Sequence, residues 1–452
     1  MSFSVQDKDV VVAGGGRSGV AASELLIARG ARVTLSDPAA FPEADRLRLL
    51  GVNVEIGPHR QELFTGADLV VLSPGVPPHQ PAIEAARRAG VTVIGEVELA
   101  SRWLAGRVIA ITGTKGKSTT TTLTARMLEE AGFAVTAGGN LGTALSAQVP
   151  ASRPDSVHVV EVSSFQLENT DSFHPWISVL VNLSPDHLDR HASFEEYARA
   201  KARIFANQLA TDWAVINADD PASLALARGI RARRFDFALD SRLVNGVGLL
   251  EGDIVRRDDG LAVPLMPVSS VRLPGRHLLG DVLAAAAVGC VAGVPPSAMR
   301  RAVERFRGLE HALESVAEIN GVRFINDSKA TNIASARRSL ESFESGIVAI
   351  MGGRFKGGRF EDLRDAIAAR ATGIIAIGEA APLVSAALGD LVPVRRAASM
   401  PEAVDAAFDL APANGVVLLA PACSSFDMFK DYADRGRAFK SAVERLVQSR
   451  NR

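Results

Sequence analysis

The sequence contains only two cysteines, Cys290 and Cys423, and they lie far apart in the chain. This excludes a disulfide framework and a paired-cysteine metal site, and it is typical of a reducing compartment. The formal net charge of −1 gives no bulk field that attracts nucleic acid or acidic membranes. No stretch approaches about 18 uninterrupted apolar residues, and the first residues lack the pattern of a secretory signal. We therefore expect a cytoplasmic protein that neither binds nucleic acid nor inserts into a membrane.

The order of apolar and polar segments predicts alternating strands and helices. Apolar runs such as DVVVAGGG, VIAITG and GIVAIMGG each precede a segment with helical spacing, which is the pattern of parallel sheets flanked by helices. With 452 residues, 47% of them hydrophobic, the chain can form about three domains with their own cores. Changes in the rhythm place these domains at 1–104, 105–307 and 308–452. Turn-rich segments between about 240 and 265 predict hairpins.

A glycine-rich loop, ITGTKGKST, stands between an apolar run and a helical segment. Gly113 and Gly116 would let backbone N–H groups surround a phosphate at a helix N-terminus. Lys117 would reach the β- and γ-phosphates, and the Ser118 hydroxyl would hold Mg²⁺. Ile111 occupies the first glycine position of the usual pattern, which shortens the loop but removes no ligand. The alternative is a turn without a ligand, but the placement between strand and helix favours a nucleotide site.

A second glycine pattern, AGGGRSG, occurs near the N-terminus. Gly14, Gly16 and Gly19 satisfy G-x-G-x-x-G. Asp37 ends the next strand, where a Rossmann-like domain keeps its ribose-binding acid. Alone, this pattern favours NAD and a dehydrogenase, or else a tight turn without a ligand. Because an oxidoreductase has no use for the Lys117 loop, the two patterns together indicate that one nucleotide is consumed and another is carried on the substrate.

Carboxylates and a histidine follow the next two strands. Glu161 ends an apolar strand. Asp186, His187 and Asp189 follow the strand after it, at the edge where α/β sheets keep their ligands. The candidates are mostly oxygen donors, which favours Mg²⁺ over zinc, although His187 alone is also compatible with a simple turn. Lys201 lies in the charged segment FEEYARAKARIF, and its spacing alone predicts a solvated face.

Six segments occur in the order found in the Mur ligases: GTKGKST, EVSSFQLE, NLSPDHLDRH, YARAKARIF, INDSKATN and APACSSFDMFKDY. The chain resembles this family over essentially its whole length, and INDSKATN and PACSSFDMF indicate its glutamate-adding branch. The resemblance implies an α/β fold with a Rossmann-like N-terminal domain, a P-loop ATPase-like central domain and a Rossmann-like C-terminal domain. It also implies an ATP-dependent ligase that joins D-glutamate to UDP-N-acetylmuramoyl-L-alanine during the cytoplasmic synthesis of peptidoglycan precursors.

The resemblance further implies where each ligand binds. The UDP-substrate, rather than NAD, would contact Arg17, Ser18, Asp37, Ser73, Pro74, Gly75 and Asn140. ATP would contact Gly113, Thr114, Lys115, Gly116, Lys117, Ser118, Thr119, Asp281 and Asp327. Glutamate would contact Thr331, Lys356, Ser425, Phe426 and Tyr432.

The chemistry that the resemblance implies depends on ATP and two Mg²⁺ ions. The metal ligands would be Ser118, Glu161, His187 and Lys201, the last as a carbamate formed with CO₂. The residues implied to be catalytic are Lys117, Glu161, His187, Lys201 and Lys329. An acyl phosphate would form on the substrate carboxylate and react with the amine of glutamate. We further expect a monomer.

Four positions depart from the family pattern. Lys115 stands where an asparagine is usual, Leu278 and Asp281 replace asparagines, and Ala312 replaces an arginine that meets the nucleotide phosphates. We hypothesise that the charge of Lys115 compensates for the one missing at Ala312. Three alternatives stay open. The first is the same reaction with L-glutamate, because the choice of enantiomer depends on fine pocket geometry, and the second is a related Mur ligase that adds L-alanine, meso-diaminopimelate or lysine. The third is a catalytically inactive nucleotide-binding regulator, which the departures at Asp281 and Ala312 leave open.

Overall fold

A computed structural model describes residues 3–187, 190–272 and 275–450. The chain divides into two compact units, one formed by Met1–Val271 with Leu279–Arg305 and the other by Arg272–Leu278 with Phe306–Arg452. The first unit contains two parallel sheets and a small mixed one, and the second contains one larger mixed sheet. The α/β class predicted from the sequence is confirmed, whereas the boundaries at 104/105 and 307/308 stay a prediction. Among the described helices, none combines the length and the apolar character needed to cross a membrane.

The N-terminal sheet is built from five short strands and the helices that follow them. The strands are β1 (Asp9–Ala13), β2 (Arg32–Asp37), β3 (Asn53–Ile56), β4 (Leu69–Leu72) and β5 (Thr92–Gly95). The helices are α1 (Arg17–Ala28), α2 (Ala44–Leu49), α3 (Gln61–Thr65), α4 (Pro81–Arg88) and α5 (Glu96–Ser101). All neighbouring strands are parallel, in the order β3-β2-β1-β4-β5. The strand order reverses between β1 and β4, which opens a crevice at their carboxyl ends.

The central sheet has six parallel strands in the same kind of alternation. The strands are β6 (Arg107–Thr112), β7 (Ala134–Gly139), β8 (Ser156–Glu161), β9 (Ile177–Leu180), β10 (Trp213–Ile216) and β11 (Arg233–Arg234). The helices are α6 (Lys117–Glu130), α7 (Leu145–Gln148), α8 (Ser164–Glu168), α9 (Phe194–Ala202) and α10 (Pro221–Leu226). The order β11-β10-β9-β6-β8-β7 places β6 between β8 and β9, so the segments after these three strands meet at one edge.

A small sheet follows, and it confirms the predicted hairpins. It consists of β12 (Asp236–Phe237), β13 (Gly246–Leu250), β14 (Asp253–Asp258) and β15 (Leu261–Pro267), and the last three are antiparallel. The turns Glu251-Gly252 and Asp259-Gly260 have positive φ at both residues, the conformation that two-residue hairpins favour. Helices α11 (Arg276–Ala292) and α12 (Pro296–Arg305) come next.

The sheet of the second unit has the order β16-β17-β21-β18-β19-β20, and only β16 is antiparallel to its neighbour. Its strands are β16 (Glu314–Ile319), β17 (Val322–Asn326), β18 (Ile347–Gly352), β19 (Ala371–Ile377), β20 (Val394–Ala397) and β21 (Val416–Leu419). The helices are α13 (Ile333–Glu341), α14 (Arg364–Arg370), α15 (Ala381–Leu388), α16 (Met400–Leu410) and α17 (Tyr432–Arg450). Two apolar cores form where helices cover both faces, which explains the continuous apolar runs of the strands.

Candidate active site

The loop between β6 and α6 has the backbone shape that a phosphate site requires. Gly113 and Gly116 have φ angles of 151° and 81°, which residues with side chains rarely adopt. Asn182 holds the loop from the neighbouring strand end. Its Oδ1 accepts the Lys115 N–H at 2.9 Å, and its backbone oxygen accepts the Thr114 N–H at 3.0 Å. These hydrogen bonds fix the course of the loop from within the protein.

Two ionisable side chains contact this loop. Lys117 begins α6, and its Nζ donates to the backbone oxygens of Gly113 and Thr114, both at 3.0 Å. Asp281 is 4% exposed and packs so closely on Gly116 that a Cβ there would collide with its carboxylate. Burial raises the pKa of Asp281 well above its usual value, although a hydrogen bond from Thr119 and the charge of Lys117 oppose the shift. Asp281 therefore supports the loop, and its predicted contact with ATP stays a prediction.

Glu161, the last residue of β8, joins two of the predicted sites. It is only 2% exposed. Its Oε2 accepts a hydrogen bond from the Ser118 hydroxyl at 2.6 Å, and its Oε1 accepts one from the Asn140 amide at 2.7 Å. The carboxylate can end an apolar strand because both of its oxygens have donors. One carboxylate thus connects the phosphate loop with the segment after β7.

Lys201 is buried, so the solvated face predicted from its spacing is wrong. The residue is 1% exposed, its Nζ donates to Oγ1 of Thr112 at 3.3 Å, and the ammonium lies 4.7 Å from the centre of the Tyr197 ring. Burial, with a further contribution from the charge of Lys117, lowers the pKa of Lys201 to about 7. The helical spacing of the sequence did not reveal this burial, because other charged residues surround Lys201 in its segment. Only the folded position of α9 directs the Lys201 side chain toward the end of β6.

His187 lies beside Tyr197, the ring that also contacts Lys201. Its ring centre is 5.0 Å from that of Phe165 and 6.4 Å from that of Tyr197. The imidazole is exposed, and its backbone has a φ of 54°. The structure therefore places His187 and Lys201 around one tyrosine. Asp189, also singled out in the sequence, lies outside the described residues.

A cavity of about 480 Å³ lies at the crevice between β1 and β4. All residues predicted to hold the UDP-substrate line it: Arg17, Ser18, Asp37, Ser73, Pro74, Gly75 and Asn140. Asp37 also shapes the turn after β1, because its Oδ2 accepts the Gly15 N–H at 2.6 Å. His59, Gln80 and Gln166 line the cavity too. Sequence reasoning missed His59 and Gln80 because no glycine pattern or charged motif marks them, whereas Gln166 lies in the segment EVSSFQLE but was given no role there.

In the second unit, one arginine holds two loops together. Arg435 of α17 is 1% exposed. It donates to the backbone oxygen of Ser328 at 2.9 Å and to that of Cys423 at 3.1 Å. The loops 327–331 and 420–426 are therefore neighbours, and each carries residues predicted to bind ligands. Arg435 was missed because a single arginine in a C-terminal helix has no distinguishing spacing.

The predicted glutamate residues lie on or near these loops. Ser425 is buried, whereas Phe426 and Tyr432 are exposed. The Nζ of Lys356 is 5.9 Å from the centre of the Phe426 ring, so these two predicted residues are in contact distance. Thr331 is the last residue of the loop 327–331, and its N–H donates to the Lys329 backbone oxygen at 2.8 Å.

Asp327 and Lys329 are held by the segment that precedes β16. The Lys329 N–H donates to the His311 oxygen at 2.9 Å, and the Leu313 N–H donates to Oδ1 of Asp327 at 3.3 Å. Burial raises the pKa of Asp327 to about 6, although a hydrogen bond from Ser339 opposes the shift. The two predicted nucleotide residues are therefore fixed by backbone contacts on one side of the loop.

Known protein families match the chain along most of its length. Residues 8–95 match the Mur ligase MurD-like N-terminal domain, residues 111–289 the Mur ligase middle domain, and residues 313–423 the Mur ligase glutamate ligase domain. The chain belongs to the Mur ligase family, as its motifs predicted.

Two relatives narrow the comparison within the family. The UDP-N-acetylmuramoylalanine–D-glutamate ligase of Acidobacterium capsulatum is 45% identical over 447 residues, 98% of this chain and 97% of that protein. The ligase of the same name from Koribacter versatilis is 42% identical over 450 residues, 99% of each chain.

Solved structures share the fold at lower identity. The UDP-N-acetylmuramate–alanine ligase of Thermotoga maritima has a TM-score of 0.59 at 20% identity, covering 98% of this chain and 99% of that one. A pseudomurein peptide ligase type C from Methanothermus fervidus has a TM-score of 0.57 at 18% identity, covering 97% and 100%. These likenesses confirm the predicted fold class.

Proposed function

We propose that this chain is an ATP-dependent ligase that joins D-glutamate to UDP-N-acetylmuramoyl-L-alanine and releases ADP and phosphate. The observation that carries the proposal is the position of Glu161, which accepts hydrogen bonds from Ser118 in the phosphate loop and from Asn140 in the cavity wall. A phosphate donor and a UDP-linked acceptor held at these two places meet at one carboxylate. The names of the relatives at 45% and 42% identity support the same reaction.

The reaction needs positioning and charge neutralisation more than acid–base chemistry. The terminal carboxylate of the substrate attacks the γ-phosphate of ATP and gives an acyl phosphate and ADP. The amine of D-glutamate attacks the acyl carbon, and the tetrahedral intermediate expels phosphate. The N–H groups of residues 116–119, which the hydrogen bonds to Asn182 do not use, hold the phosphates of ATP. Lys117 neutralises the charge that develops on the phosphates. Lys329 and Asp327 are proposed to serve the same nucleotide.

The donors around the phosphate loop fit Mg²⁺. The Ser118 hydroxyl and the Glu161 carboxylate approach to 2.6 Å, and both are oxygen donors of the kind Mg²⁺ prefers. Bound Mg²⁺ supplies positive charge to the phosphates. His187 and a carbamate on Lys201 are proposed to complete the ligands of two ions. A pKa of about 7 leaves much of the Lys201 amine neutral near pH 7, and the neutral form is the one that adds CO₂.

The second unit is proposed to hold D-glutamate. Lys356 belongs to the glycine-flanked segment GGRFKGG and lies near Phe426, so its ammonium is available to a carboxylate of the amino acid. Thr331, Ser425 and Tyr432 are proposed to complete the pocket on the loops that Arg435 ties together. We further propose that the protein is cytoplasmic, in keeping with its two free cysteines, and that it acts as a monomer.

The test is phosphate release from ATP with Mg²⁺ and UDP-N-acetylmuramoyl-L-alanine, measured separately with D-glutamate and L-glutamate. We expect release with D-glutamate only, and none from a Lys117→Ala variant that stays folded by circular dichroism. Release with L-glutamate alone would keep the mechanism and overturn the substrate. Absence of release with both enantiomers, from protein that still binds ATP, would favour an inactive nucleotide-binding regulator.

A further inference from the structure

A cluster of three ligating side chains lies beside Tyr197 but belongs to none of the sites above. The Tyr197 hydroxyl is in turn 3.0 Å from Oγ1 of Thr114 in the phosphate loop. The Glu168 cluster consists of Glu168 at the end of α8, His191 in the segment before α9, and Glu196 in the first turn of α9. One nitrogen or oxygen atom from each residue lies within 4.8 Å of the other two. The three atoms come from two segments that converge, the end of α8 and the stretch 191–196, which a run of acidic residues on one surface helix would not do.

His191 is held in a fixed orientation inside this cluster. Its side chain is fully buried, and its ring stacks on Phe165 with centres 5.4 Å apart and planes 18° apart. Its Nε2 lies 3.0 Å from the hydroxyl oxygen of Ser164. If Nε2 donates its proton to Ser164, the free lone pair is on Nδ1, on the side of the ring that faces the cluster. A histidine that binds a metal through one nitrogen usually donates the other N–H to a fixed partner in this way.

Two buried atoms of the cluster lack hydrogen bonds. The Nδ1 of His191 is 3.1 Å from Oε1 of Glu168, but the direction is unsuitable for a hydrogen bond, and no other described residue provides one. The Oε2 of Glu168 is likewise buried without a hydrogen bond to any described residue. Buried polar atoms are nearly always satisfied, so two such atoms side by side call for a shared partner. A cation between them satisfies both.

The surrounding charges are compatible with a divalent cation. Glu168 and Glu196 together carry two negative charges, which one divalent ion balances. Glu196 uses Oε2 to accept the Ala192 N–H at 2.8 Å, so its Oε1 is the oxygen available to an ion. The positive charges of Arg190 and Arg203 also act on Glu168. Each guanidinium group donates to a backbone oxygen, Arg190 to that of Val76 and Arg203 to that of Leu167.

We propose that Glu168, Nδ1 of His191 and Glu196 form a binding site for a divalent transition-metal ion of the zinc type, separate from the Mg²⁺ ligands at the phosphate loop. One imidazole nitrogen and two carboxylates, with water as the fourth ligand, match the donor set of zinc. Tetrahedral coordination needs ligand atoms about 3.4 Å apart, so small rotations of the two glutamate side chains close the site.

The ion would connect the segments that carry the proposed catalytic residues. Helix α8 follows Glu161, His191 follows His187 by one turn, and α9 carries Lys201. Its role would be structural, because it would hold these segments in register without touching the substrate. This structural role follows from the order of these segments along the chain, and it does not depend on which amino acid the enzyme adds.

The test uses the full chain freed of metal by a chelator and then exposed to Zn²⁺ alone. Crystals soaked in Zn²⁺ and measured at the zinc absorption edge should show an anomalous peak bonded to the three side chains. In solution, calorimetric titration should show one Zn²⁺ equivalent fewer for Glu168→Gln and for Glu196→Gln than for the wild-type chain. Glu195→Gln, which changes an exposed neighbour on the same helix turn, is the matched control and should bind as many equivalents as wild type.

Absence of the anomalous peak in wild-type crystals would overturn the proposal and leave a proton shared by His191 and Glu168 as the reason for their contact. An unchanged stoichiometry in Glu168→Gln would overturn it as well. Ligase activity is not the readout, so this result and that of the phosphate-release assay are independent.

Discussion

Glu98 offers a stability prediction that the structure makes quantitative. It lies in α5 at the end of the N-terminal sheet, and its side chain has no exposed surface. Its Oε2 accepts the backbone N–H groups of Asp171, Ser172 and Phe173 at 2.9 to 3.1 Å. Its Oε1 accepts the Ser172 hydroxyl at 2.5 Å and Nε of Arg102 at 2.7 Å. One carboxylate therefore fastens α5 to the segment after α8.

We expect Glu98→Gln to lower the free energy of unfolding by about 3 to 5 kcal/mol. Glutamine keeps the shape, but its NH₂ group replaces one oxygen and faces N–H or O–H donors. At least two of the five hydrogen bonds are lost, and each buried donor left unpaired costs about 1 to 3 kcal/mol. Asp45→Asn is the control, since Asp45 is 94% exposed in its pair with Arg48 and should change stability by less than about 1 kcal/mol.

The effect should also depend on pH. Burial alone would raise the pKa of Glu98, but the hydrogen bonds from Ser172, Asp171 and Arg102 outweigh it and hold the pKa below 4.5. A lowered pKa contributes stability that is present above 4.5 and is lost as the pH falls toward the folded-state value. Urea unfolding followed by circular dichroism at pH 7 and at lower pH should show the difference between wild type and Glu98→Gln shrinking. A difference below about 1 kcal/mol at pH 7 would refute the reasoning.

Three further predictions follow from the phosphate loop and its surroundings. The pKa of Lys201 is lowered to about 7, so the folded chain binds fewer protons than the unfolded chain above that pH. In CO₂-free buffer, the stability of the wild type should therefore rise between about pH 7 and 10 relative to Lys201→Met, by up to about 4 kcal/mol in urea titrations. Parallel stability curves for the two proteins would contradict this. Gly116→Ala should reduce kcat/KM for ATP at least about tenfold, because the new Cβ collides with the buried carboxyl group of Asp281. The control is Gly90→Ala, which has nearly the same φ of 82° but open space around it and should cost about 1 kcal/mol of stability without changing the kinetics. Equal effects of the two variants on kcat/KM would exclude the collision as the cause. If the charge of Lys115 compensates for the one missing at Ala312, Lys115→Asn should lose phosphate release and the double variant with Ala312→Arg should regain it, and a double variant as inactive as the single one would disprove compensation.

The glycine-based features could be predicted from the sequence because they depend on backbone geometry. Gly113 and Gly116 adopt positive φ between a strand and a helix, as the spacing of GTKGKS indicates. The cavity at β1 and β4 was likewise foreseeable, because a glycine turn after a strand and an acid at the end of the next place ligands at the same sheet edge. Local pattern and tertiary position agree at these residues.

Features that depend on which way a single helix face turns could not be predicted in the same way. Lys201 shares its segment with Glu195, Glu196 and Arg199, so composition suggested solvent, and only packing against β6 buries it. Arg435 likewise acquires its role from two loops that are distant in sequence. Such residues are identified by their neighbours in three dimensions, and a single sequence does not contain that information without a family motif.

The shared carboxylate of Glu161 has a thermodynamic consequence for the order of ligand binding. A ligand that draws Ser118 away from Glu161 changes the hydrogen bonding available to Asn140, and a ligand at Asn140 changes that of Ser118. By linkage, whatever factor the nucleotide applies to the affinity of the UDP-substrate, the UDP-substrate applies to the affinity of the nucleotide. A compound that occupies only the UDP cavity would therefore change the affinity for ATP and act as an allosteric effector. Whether it raises or lowers that affinity would show how Ser118 and Asn140 share the Glu161 carboxylate.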